Sequence, residues 1–268
     1  MSSTIGLSTY SFFWQWHETA PQPITLEQMV DKTAALGVTL LQICDYPLIE
    51  SYTAAKLSEL KAYGAAKGVS FELGTRGVTP EHLARYLEIA QALDVTLVRS
   101  MFYSATSRPT PAEAEQFLRT AVQAYEASGV TIALETYEQV PVQTLVDLVT
   151  AVDSPNLGIC LDPANCLAAL ELPAETVRRT APLVKNMHIK DFSFSRKDGW
   201  VGFTLASVPL GEGLLDYHGM VAAVRPEERG INQIVEHWLT WQGDSATTCA
   251  LEDRWTASVV ETLRSYAK

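Results

Sequence analysis

Residues 130–162 read VTIALETYEQVPVQTLVDLVTAVDSPNLGICLD and contain one full repeat of the pattern that decides the fold. An apolar run at 130–134 has the length of a strand, 142–152 has the spacing of a helix, and 157–161 is again a short apolar run. A strand, a helix and a second strand in this order predict a parallel β-α-β unit. Glu135 and Asp162 directly follow the two strands, so both are expected at the same edge of the sheet.

The same alternation extends from this unit to both ends of the chain. The remaining strands are predicted at 5–10, 38–43, 69–73, 96–101, 185–189 and 233–235, and the remaining helices at 25–36, 53–67, 80–93, 111–128, 174–181, 217–224 and 251–266. Eight strands that alternate with eight helices are the number that closes a (β/α)8 barrel. The predicted fold class is therefore α/β, with a single TIM barrel as one domain over residues 1–268.

An open doubly wound sheet is the alternative architecture. Such a sheet usually carries a glycine-rich nucleotide-binding turn after its first strand. Here the predicted loop at 12–16 reads FFWQW, and no such glycine pattern stands between a strand and a helix. The closed barrel is the better interpretation.

The composition argues against two classes of partner. The 268 residues include 20 Lys+Arg and 31 Asp+Glu, which give a net charge of -11. A surface this acidic repels nucleic-acid phosphates and anionic lipids, and no apolar stretch approaches the ~20 residues of a membrane span. Residues 1–4 show no sign of a signal peptide, so a cytoplasmic protein with reduced cysteines is predicted.

Four residues follow apolar strands directly: Glu135, Asp162, His188 and Glu236. In a closed barrel the strand ends and the βα loops form the active-site mouth, so these side chains should converge. A single carboxylate at a strand end is more often a solvated rim residue, but recurrence on four successive strands favours a shared site. Three carboxylates would repel one another unless a cation joined them, and a mainly oxygen ligand set favours Mn²⁺ or Mg²⁺.

These four residues and their surroundings resemble a known family. The words ALET at 133–136, CLDPAN at 160–165, NMHIKDF at 186–192 and PLGEGLLD at 209–216 are similar to those of xylose-isomerase-like TIM barrels, the sugar phosphate isomerases and epimerases. The resemblance implies that Glu135, Asp162, His188 and Glu236 hold one divalent metal, Mn²⁺ in the first place, with Mg²⁺ or Co²⁺ as alternatives. It also implies that Glu135 and Glu236 act as the acid and base.

The resemblance further implies an isomerase or epimerase of a keto sugar or sugar derivative. A metal at the ketone oxygen and a neighbouring hydroxyl stabilises the enediolate after a carboxylate removes the adjacent proton. His188 lacks the arginine that follows it in ketose 3-epimerases, and the HIKDF word with Gly202-Phe203 is closer to the branch acting on 3-keto-glycosides and oxo-sugar acids. That branch includes epimerases, eliminating enzymes and decarboxylases. A metal-dependent lyase performing β-elimination on a 3-keto-glycoside or oxo-sugar is therefore the alternative.

Several further residues are candidates for contact with a small carbohydrate substrate. Lys190 is expected to polarise a carbonyl or donate a proton, or instead to pair with Asp191 or Glu212. Asn165 is expected to bind a sugar hydroxyl or to cap the following helix. Arg76 and Arg99 are rim candidates for an acidic group, with an internal ion pair as the default.

Aromatic residues and one long connection complete the predicted substrate site. Phe12, Phe13, Trp14 and Trp16 could face a sugar ring, although such residues are also ordinary core or oligomer-interface material. The connection at 193–208, with Arg196, Trp200 and Phe203, has the length of a lid or binding segment. A homo-oligomer is possible.

Four other hypotheses concern two histidines and the class of function. His237 should point away from Glu236 because neighbouring residues of a strand alternate faces, and His82 is expected on a helix surface. A nuclease like endonuclease IV shares the barrel but expects more histidines and a basic face. A non-catalytic sugar-binding barrel is the remaining alternative.

Overall fold

Eight parallel strands of the chain close into a barrel. The computed structural model describes residues 3–199 and 201–267. The barrel strands are β1 (Ile5–Ser8), β2 (Leu40–Cys44), β3 (Ser70–Arg76), β4 (Leu97–Met101), β5 (Thr131–Glu135), β6 (Leu157–Leu161), β7 (Val184–Ile189) and β10 (Asn232–Val235). They pair in the order β1-β10-β7-β6-β5-β4-β3-β2, and β2 closes the ring on β1. The predicted (β/α)8 barrel is confirmed.

Helices alternate with these strands and pack against one another and against the barrel. The α-helices are α1 (Phe13–Trp16), α2 (Leu26–Ala35), α3 (Ala54–Lys67), α4 (Pro80–Leu93), α5 (Pro111–Ser128), α6 (Val142–Val152), α7 (Pro173–Thr180), α8 (Tyr217–Val224), α9 (Pro226–Arg229) and α10 (Ser245–Tyr266). Short 3-10 helices lie at Thr9–Phe12, Pro47–Ser51, Asn165–Ala169 and Ala181–Leu183. The assignment of residues 1–268 to one domain and the possible homo-oligomer stay predictions.

Local sequence explains where several helices begin and end. Thr25 and Thr110 each form a capping box, in which the side chain accepts a hydrogen bond from the third helical N–H and that third residue bonds back. Gly68 ends α3 and Gly129 ends α5 at φ 70° and 68°, a left-handed backbone that glycine adopts without a Cβ penalty. These caps fix where the helices begin and end, and so they set the lengths of the loops that lead to the next strands.

Three segments differ from the sequence-based expectation. The run at 12–16 is not a loop, because Thr9–Phe12 is a 3-10 helix that leads into α1. The irregular connection after β7 contains an antiparallel hairpin of β8 (Phe192–Arg196) and β9 (Phe203–Ser207). The last helix begins at Ser245 instead of 251, since the Asp244 side chain accepts a hydrogen bond from the Thr247 N–H and caps it.

The remaining global expectations concern membranes and cysteines. Within residues 3–199 and 201–267, no helix has the length and apolar character that crossing a bilayer requires. The thiols of Cys44, Cys160 and Cys166 are free and buried, and that of Cys249 is free and half-buried.

Candidate metal centre and active site

Strand geometry places the predicted ligands on the inside of the barrel. Asn186 and His188 of β7 and Lys190, which directly follows it, share one face because side chains two residues apart point the same way. The pairing of β10 with β7 sets Ile234 beside His188 and Val235 beside Ile189, so Glu236 follows at the level of Lys190. Glu135 ends β5, and Asp162 directly follows β6.

These positions bring together Glu135, Asp162, His188 and Glu236, called the quartet below. His188 Nδ1 lies 3.3 Å from Glu236 Oε2, 3.8 Å from Asp162 Oδ2 and 3.9 Å from Glu135 Oε1. All four side chains are at most 3% exposed. Donor atoms at these separations can surround one ion, since ligands at ~2.1 Å from an octahedral cation lie ~3 Å from one another.

Two of the quartet carboxylates are oriented by neighbours on the β6–α7 loop and on β4. Asp162 Oδ1 accepts hydrogen bonds from the backbone N–H groups of Ala164 and Asn165, at 3.1 Å and 3.2 Å. Glu135 Oε1 accepts one from Asn165 Nδ2 at 2.6 Å, and Glu135 Oε2 accepts one from the Arg99 guanidinium. Asn165 therefore holds two members of the quartet. It is not the helix cap, because Ala164 occupies that position.

The donor set fits a divalent metal. Among the described residues, His188 Nδ1 and Glu236 Oε1 are buried polar atoms without a hydrogen-bond partner, and such atoms are costly unless a ligand satisfies them. Cys160 is also near His188 and Glu135. Its thiol donates a hydrogen bond to Asn186 Oδ1 at 3.6 Å, and burial raises its pKa to about 11. An oxygen-rich set with one imidazole remains.

Lys190 lies inside this cluster and is 3% exposed. Its Nζ is 2.7 Å from Asp162 Oδ2 and 3.1 Å from Glu236 Oε2, and it stands over the Trp238 ring at 4.4 Å. Burial alone would raise the pKa of the Asp162 carboxyl, but Lys190 and His188 outweigh it and hold that pKa below its usual value. Lys190 is thus the cation nearest the quartet carboxylates Asp162 and Glu236.

The alternative expectation, that Lys190 forms an ion pair with Asp191 or Glu212, is wrong. Asp191 is the next residue of the chain and points to the other side. Its carboxylate accepts backbone N–H groups of Phe192, Gly211, Gly213 and Leu215 at 2.8–3.0 Å. Asp191 therefore fastens the base of the hairpin to the 211–215 loop.

A second layer of polar side chains lies deeper in the barrel and was missed by the sequence reasoning. Gln42 Oε1 is 2.9 Å from His188 Nε2, and Gln42 Nε2 donates to Glu72 Oε2 at 3.1 Å. Glu72 also accepts from Asn186 Nδ2 at 3.0 Å and from Asn232 Nδ2 at 2.7 Å. A signal existed, because Gln42 is the one polar residue of β2 and Glu72 stands between the apolar residues Phe71 and Leu73.

On the other side of the quartet, a chain of charges leads to a cavity. Arg99 is an internal ion pair, as the default interpretation expected: it contacts Glu135 and its Nη1 lies 3.0 Å from Asp45 Oδ1. Arg76 lies 2.8 Å from Asp45 Oδ2 and donates to the Tyr10 hydroxyl at 2.9 Å. Asp45 sits directly after β2 with φ 49°, an uncommon backbone for a residue with a Cβ.

The cavity has a volume of about 740 Å³ and opens beside β1–β4, so we call it the β1–β4 cavity. Its lining residues are Tyr10, Phe13, Trp16, Asp45, Pro47, Glu50, Thr75, Arg76, Gly77, Thr79, His82, Tyr86, Ser104, Ala105, Thr106 and Ser107. Asp45 connects it through Arg99 to Glu135. Aromatic faces, hydroxyl groups and a guanidinium are the surfaces that a polar carbohydrate needs.

The aromatic residues of 12–16 do not all face this cavity. Phe12 is 1% exposed and lies in the hydrophobic core, so the expectation that it contacts a substrate is wrong. Phe13 and Trp16 line the β1–β4 cavity instead, because residues three apart in α1 share a face. Trp14 lines a smaller cavity of about 230 Å³ together with Trp238, and its role with a substrate stays a prediction.

The hairpin residues lie apart from the quartet. Phe203 is 60% exposed, and the Arg196 guanidinium stacks on its ring at 4.9 Å. Both belong to the exposed part of the hairpin, and their contact with a substrate stays a prediction. Trp200, which the sequence places in the same segment, lies outside the described residues.

Two histidines outside the quartet are informative. His237 Nε2 is 3.3 Å from Thr256 Oγ1 on α10, which is the outward direction expected from strand alternation. His82 is not a simple surface residue, since it is half-buried, lines the β1–β4 cavity and lies 2.7 Å from Thr75 Oγ1. Burial lowers the pKa of His82 below its usual value.

Comparison with known proteins decides the family. The family model described as xylose isomerase-like TIM barrel matches residues 3–259. The chain belongs to this family. This family member is 51% identical over 252 residues to 3-oxo-isoapionate decarboxylase of Pectobacterium atrosepticum. The alignment covers 94% of this chain and 92% of that relative. The resemblance read from the sequence is confirmed, and the chain is an enzyme of this sugar-modifying family.

Two solved structures show the same fold at low identity. D-psicose 3-epimerase with D-tagatose from Clostridium cellulolyticum H10 has a TM-score of 0.74 and 16% identity over 97% of this chain and 98% of its own. A xylose isomerase-like TIM barrel protein from Mycobacterium smegmatis in complex with magnesium has a TM-score of 0.69 and 16% identity over 97% of both chains.

Proposed function

We propose that the protein is a divalent-metal-dependent decarboxylase of a 3-oxo sugar acid, with 3-oxo-isoapionate as the first compound to test. The observation that carries the proposal is the 51% identity to 3-oxo-isoapionate decarboxylase over 94% of this chain. The quartet residues are the proposed metal ligands, with Mn²⁺ as the expected ion and Mg²⁺ or Co²⁺ as alternatives. Decarboxylation is a carbon–carbon lyase reaction and differs from the β-elimination that was the lyase alternative drawn from the sequence.

The charges at the mouth support an anionic substrate. The three quartet carboxylates and Asp45 face the cations Lys190, Arg99 and Arg76, each in direct contact with at least one of them. Arg76 also lines the β1–β4 cavity, where its guanidinium can pair with a carboxylate of a substrate.

The proposed reaction breaks one carbon–carbon bond of the substrate. The bond between C2 and the carboxyl carbon of a 3-oxo acid breaks, its electron pair moves toward the C3 ketone, CO₂ leaves and C2 gains a proton. A divalent cation held by the quartet would supply Lewis-acid stabilisation of the charge on the ketone oxygen. Lys190 Nζ, held between Asp162 and Glu236, presents N–H groups at the edge of the quartet and is the proposed proton donor.

An isomerase or epimerase of a keto sugar is the second candidate. Glu135 and Glu236 both belong to the quartet, and two carboxylates on one substrate carbon are what proton removal and return require. However, Glu236 contacts Lys190, and a carboxylate engaged by a cation is a weaker base. Glu135 contacts Arg99, but burial raises the pKa of its carboxyl, so Glu135 stays a candidate base. The 51% identity to a decarboxylase is the reason that this candidate stands second.

A labelled substrate separates the candidates. We expect the Mn²⁺-loaded enzyme to release ¹³CO₂ from 3-oxo-isoapionate labelled in its carboxyl group, and to place one deuteron at the former C2 in D₂O. The same enzyme with ketohexoses and 3-keto-glycosides tests for deuterium in an epimer or for an eliminated product. Epimer formation or elimination without ¹³CO₂ would replace the decarboxylase proposal by the isomerase or β-elimination reading.

A further inference from the structure

The deeper polar layer contains a directional series of hydrogen bonds that ends at His188. It begins at the backbone of Thr4, whose N–H donates to Asn232 Oδ1 at 3.1 Å. A backbone N–H can only donate, so it fixes which end of the Asn232 amide is oxygen. Asn232 Nδ2 must then face Glu72, to which it donates at 2.7 Å.

Glu72 orients the Gln42 amide as well, because carboxylate oxygens accept hydrogen bonds. Glu72 is 3% exposed, and the amide nitrogens of three side chains, Asn232, Asn186 and Gln42, point at its two oxygens. The Gln42 amide nitrogen has a second acceptor, Asn186 Oδ1 at 3.2 Å. Both contacts need an N–H donor, so the nitrogen of the Gln42 amide faces Glu72 and its oxygen faces His188.

The last step sets the imidazole. Gln42 Oε1 is 2.9 Å from His188 Nε2 and can only accept, so Nε2 carries a proton. In the neutral ring the other nitrogen, Nδ1, then has the free lone pair. Nδ1 is the atom that lies 3.3–3.9 Å from the three quartet carboxylates and has no hydrogen-bond partner among the described residues.

We propose that Gln42 and Glu72 are positioning residues that hold His188 as the Nε2–H tautomer with Nδ1 directed at the metal. Neither residue touches the quartet carboxylates. This inference rests on the metal site of the proposed function, and it extends that site to β2 and β3. Removal of such an outer partner of a ligating histidine typically lowers metal affinity by about 10–100-fold.

The test combines nitrogen NMR with metal titration. Enzyme labelled with ¹⁵N-histidine is loaded with diamagnetic Zn²⁺, and long-range ¹H–¹⁵N spectra report which ring nitrogen of His188 carries hydrogen. We expect a protonated Nε2 and a metal-bound Nδ1 in the unmodified protein. A metal-bound Nε2 would overturn the proposal, and this measurement needs no variant to fold.

Variants test the positioning residues themselves. Gln42→Met keeps the side-chain length and removes the amide, so metal affinity measured by calorimetry should fall about 10–100-fold. Glu72→Gln, which lets the Gln42 amide turn, should lower affinity and broaden or split the His188 signals. Gln233→Met is the matched control, because Gln233 is a buried glutamine of β10 that bonds Tyr217 instead of His188, and its affinity should be unchanged.

Two outcomes remain distinct. If Gln42→Met binds metal as tightly as the unmodified protein and leaves the His188 spectrum unchanged, the positioning role is wrong. If the tautomer and affinity results hold but no CO₂ is released from any 3-oxo sugar acid, the proposed reaction is wrong and the positioning role stands.

Discussion

Lys190 Nζ lies 2.7 Å from Asp162 Oδ2, and both side chains are almost completely buried. A buried ammonium is tolerated only where charges of opposite sign compensate it. Here it offsets part of the negative charge that the three quartet carboxylates concentrate at one point. The same contact holds the N–H donors of Lys190 at the edge of the proposed metal site, where a substrate bound there would meet them.

Replacement of this lysine should therefore impair chemistry more than metal binding. We expect Lys190→Met to lower kcat by about 10²–10⁴-fold, the usual contribution of a positioned acid or base, while calorimetry still shows metal binding. Lys185→Met is the control, since Lys185 is on β7 but one residue out of phase with the inward face. Equal losses in both variants, or an unchanged kcat in Lys190→Met, would contradict the proton-donor role.

Metal removal should abolish turnover reversibly. We expect enzyme dialysed against a chelator to lose activity and to regain it with Mn²⁺, because the quartet carboxylates and His188 Nδ1 are the proposed metal ligands. Asp162→Asn should weaken metal binding strongly in calorimetry, whereas Asp147→Asn, an exposed carboxylate on α6, should leave it unchanged. Full activity after complete metal removal would exclude a metal-dependent reaction.

Periodicity was sufficient to predict the barrel and to bring its active-site edge together. Each apolar run at 130–134, 157–161 and 185–189 became a buried parallel strand within about two residues of its predicted bounds. Because the carboxyl ends of parallel strands meet at one mouth, reading the residue after each run was enough to place Glu135 and Asp162 side by side.

The contacts between side chains of the site were harder to predict than the positions of those side chains on the strands. One alternative paired Lys190 with Asp191, its chain neighbour, yet strand alternation turns neighbours to opposite sides, and Lys190 pairs with Asp162. The bond from Gln42 to His188 spans 146 positions of the sequence. Such a partner depends on the register of strands that are distant in the chain, and a single sequence does not contain that register.

Arg76 tests whether the substrate is an anion. Its guanidinium lines the β1–β4 cavity, and loss of one hydrogen bond to a charged group costs about 1.5–3 kcal/mol. We expect Arg76→Met to raise KM for a 3-oxo sugar acid about 10–100-fold with a smaller change in kcat. Arg108→Met, a change of a surface arginine that contacts Tyr103, should leave KM unchanged. An unchanged KM in Arg76→Met would mean that the carboxylate of the substrate binds elsewhere.

Glu252 should make the stability of the protein depend on pH in a defined direction. Burial raises the pKa of this α10 carboxyl from 4.5 to about 8, although it accepts hydrogen bonds from the Trp14 N–H and Gln15. Between about pH 4.5 and 8 the folded carboxyl keeps its proton while the unfolded one ionises. Its contribution to the free energy of unfolding is therefore present below this window and is lost as the pH rises, by at most ~1.4 kcal/mol per pH unit.

Glu252→Gln removes this titration and should flatten the pH dependence. We expect the stability of the variant relative to the unmodified protein, measured by urea unfolding, to increase steadily from pH 5 to pH 8. Glu261 is an exposed carboxyl on the same helix, so the stability of Glu261→Gln should change with pH in the same way as that of the unmodified protein. If the stability of Glu252→Gln also changes with pH like that of the unmodified protein, the Glu252 carboxyl is already ionised in the folded state at pH 5 and burial does not hold its proton.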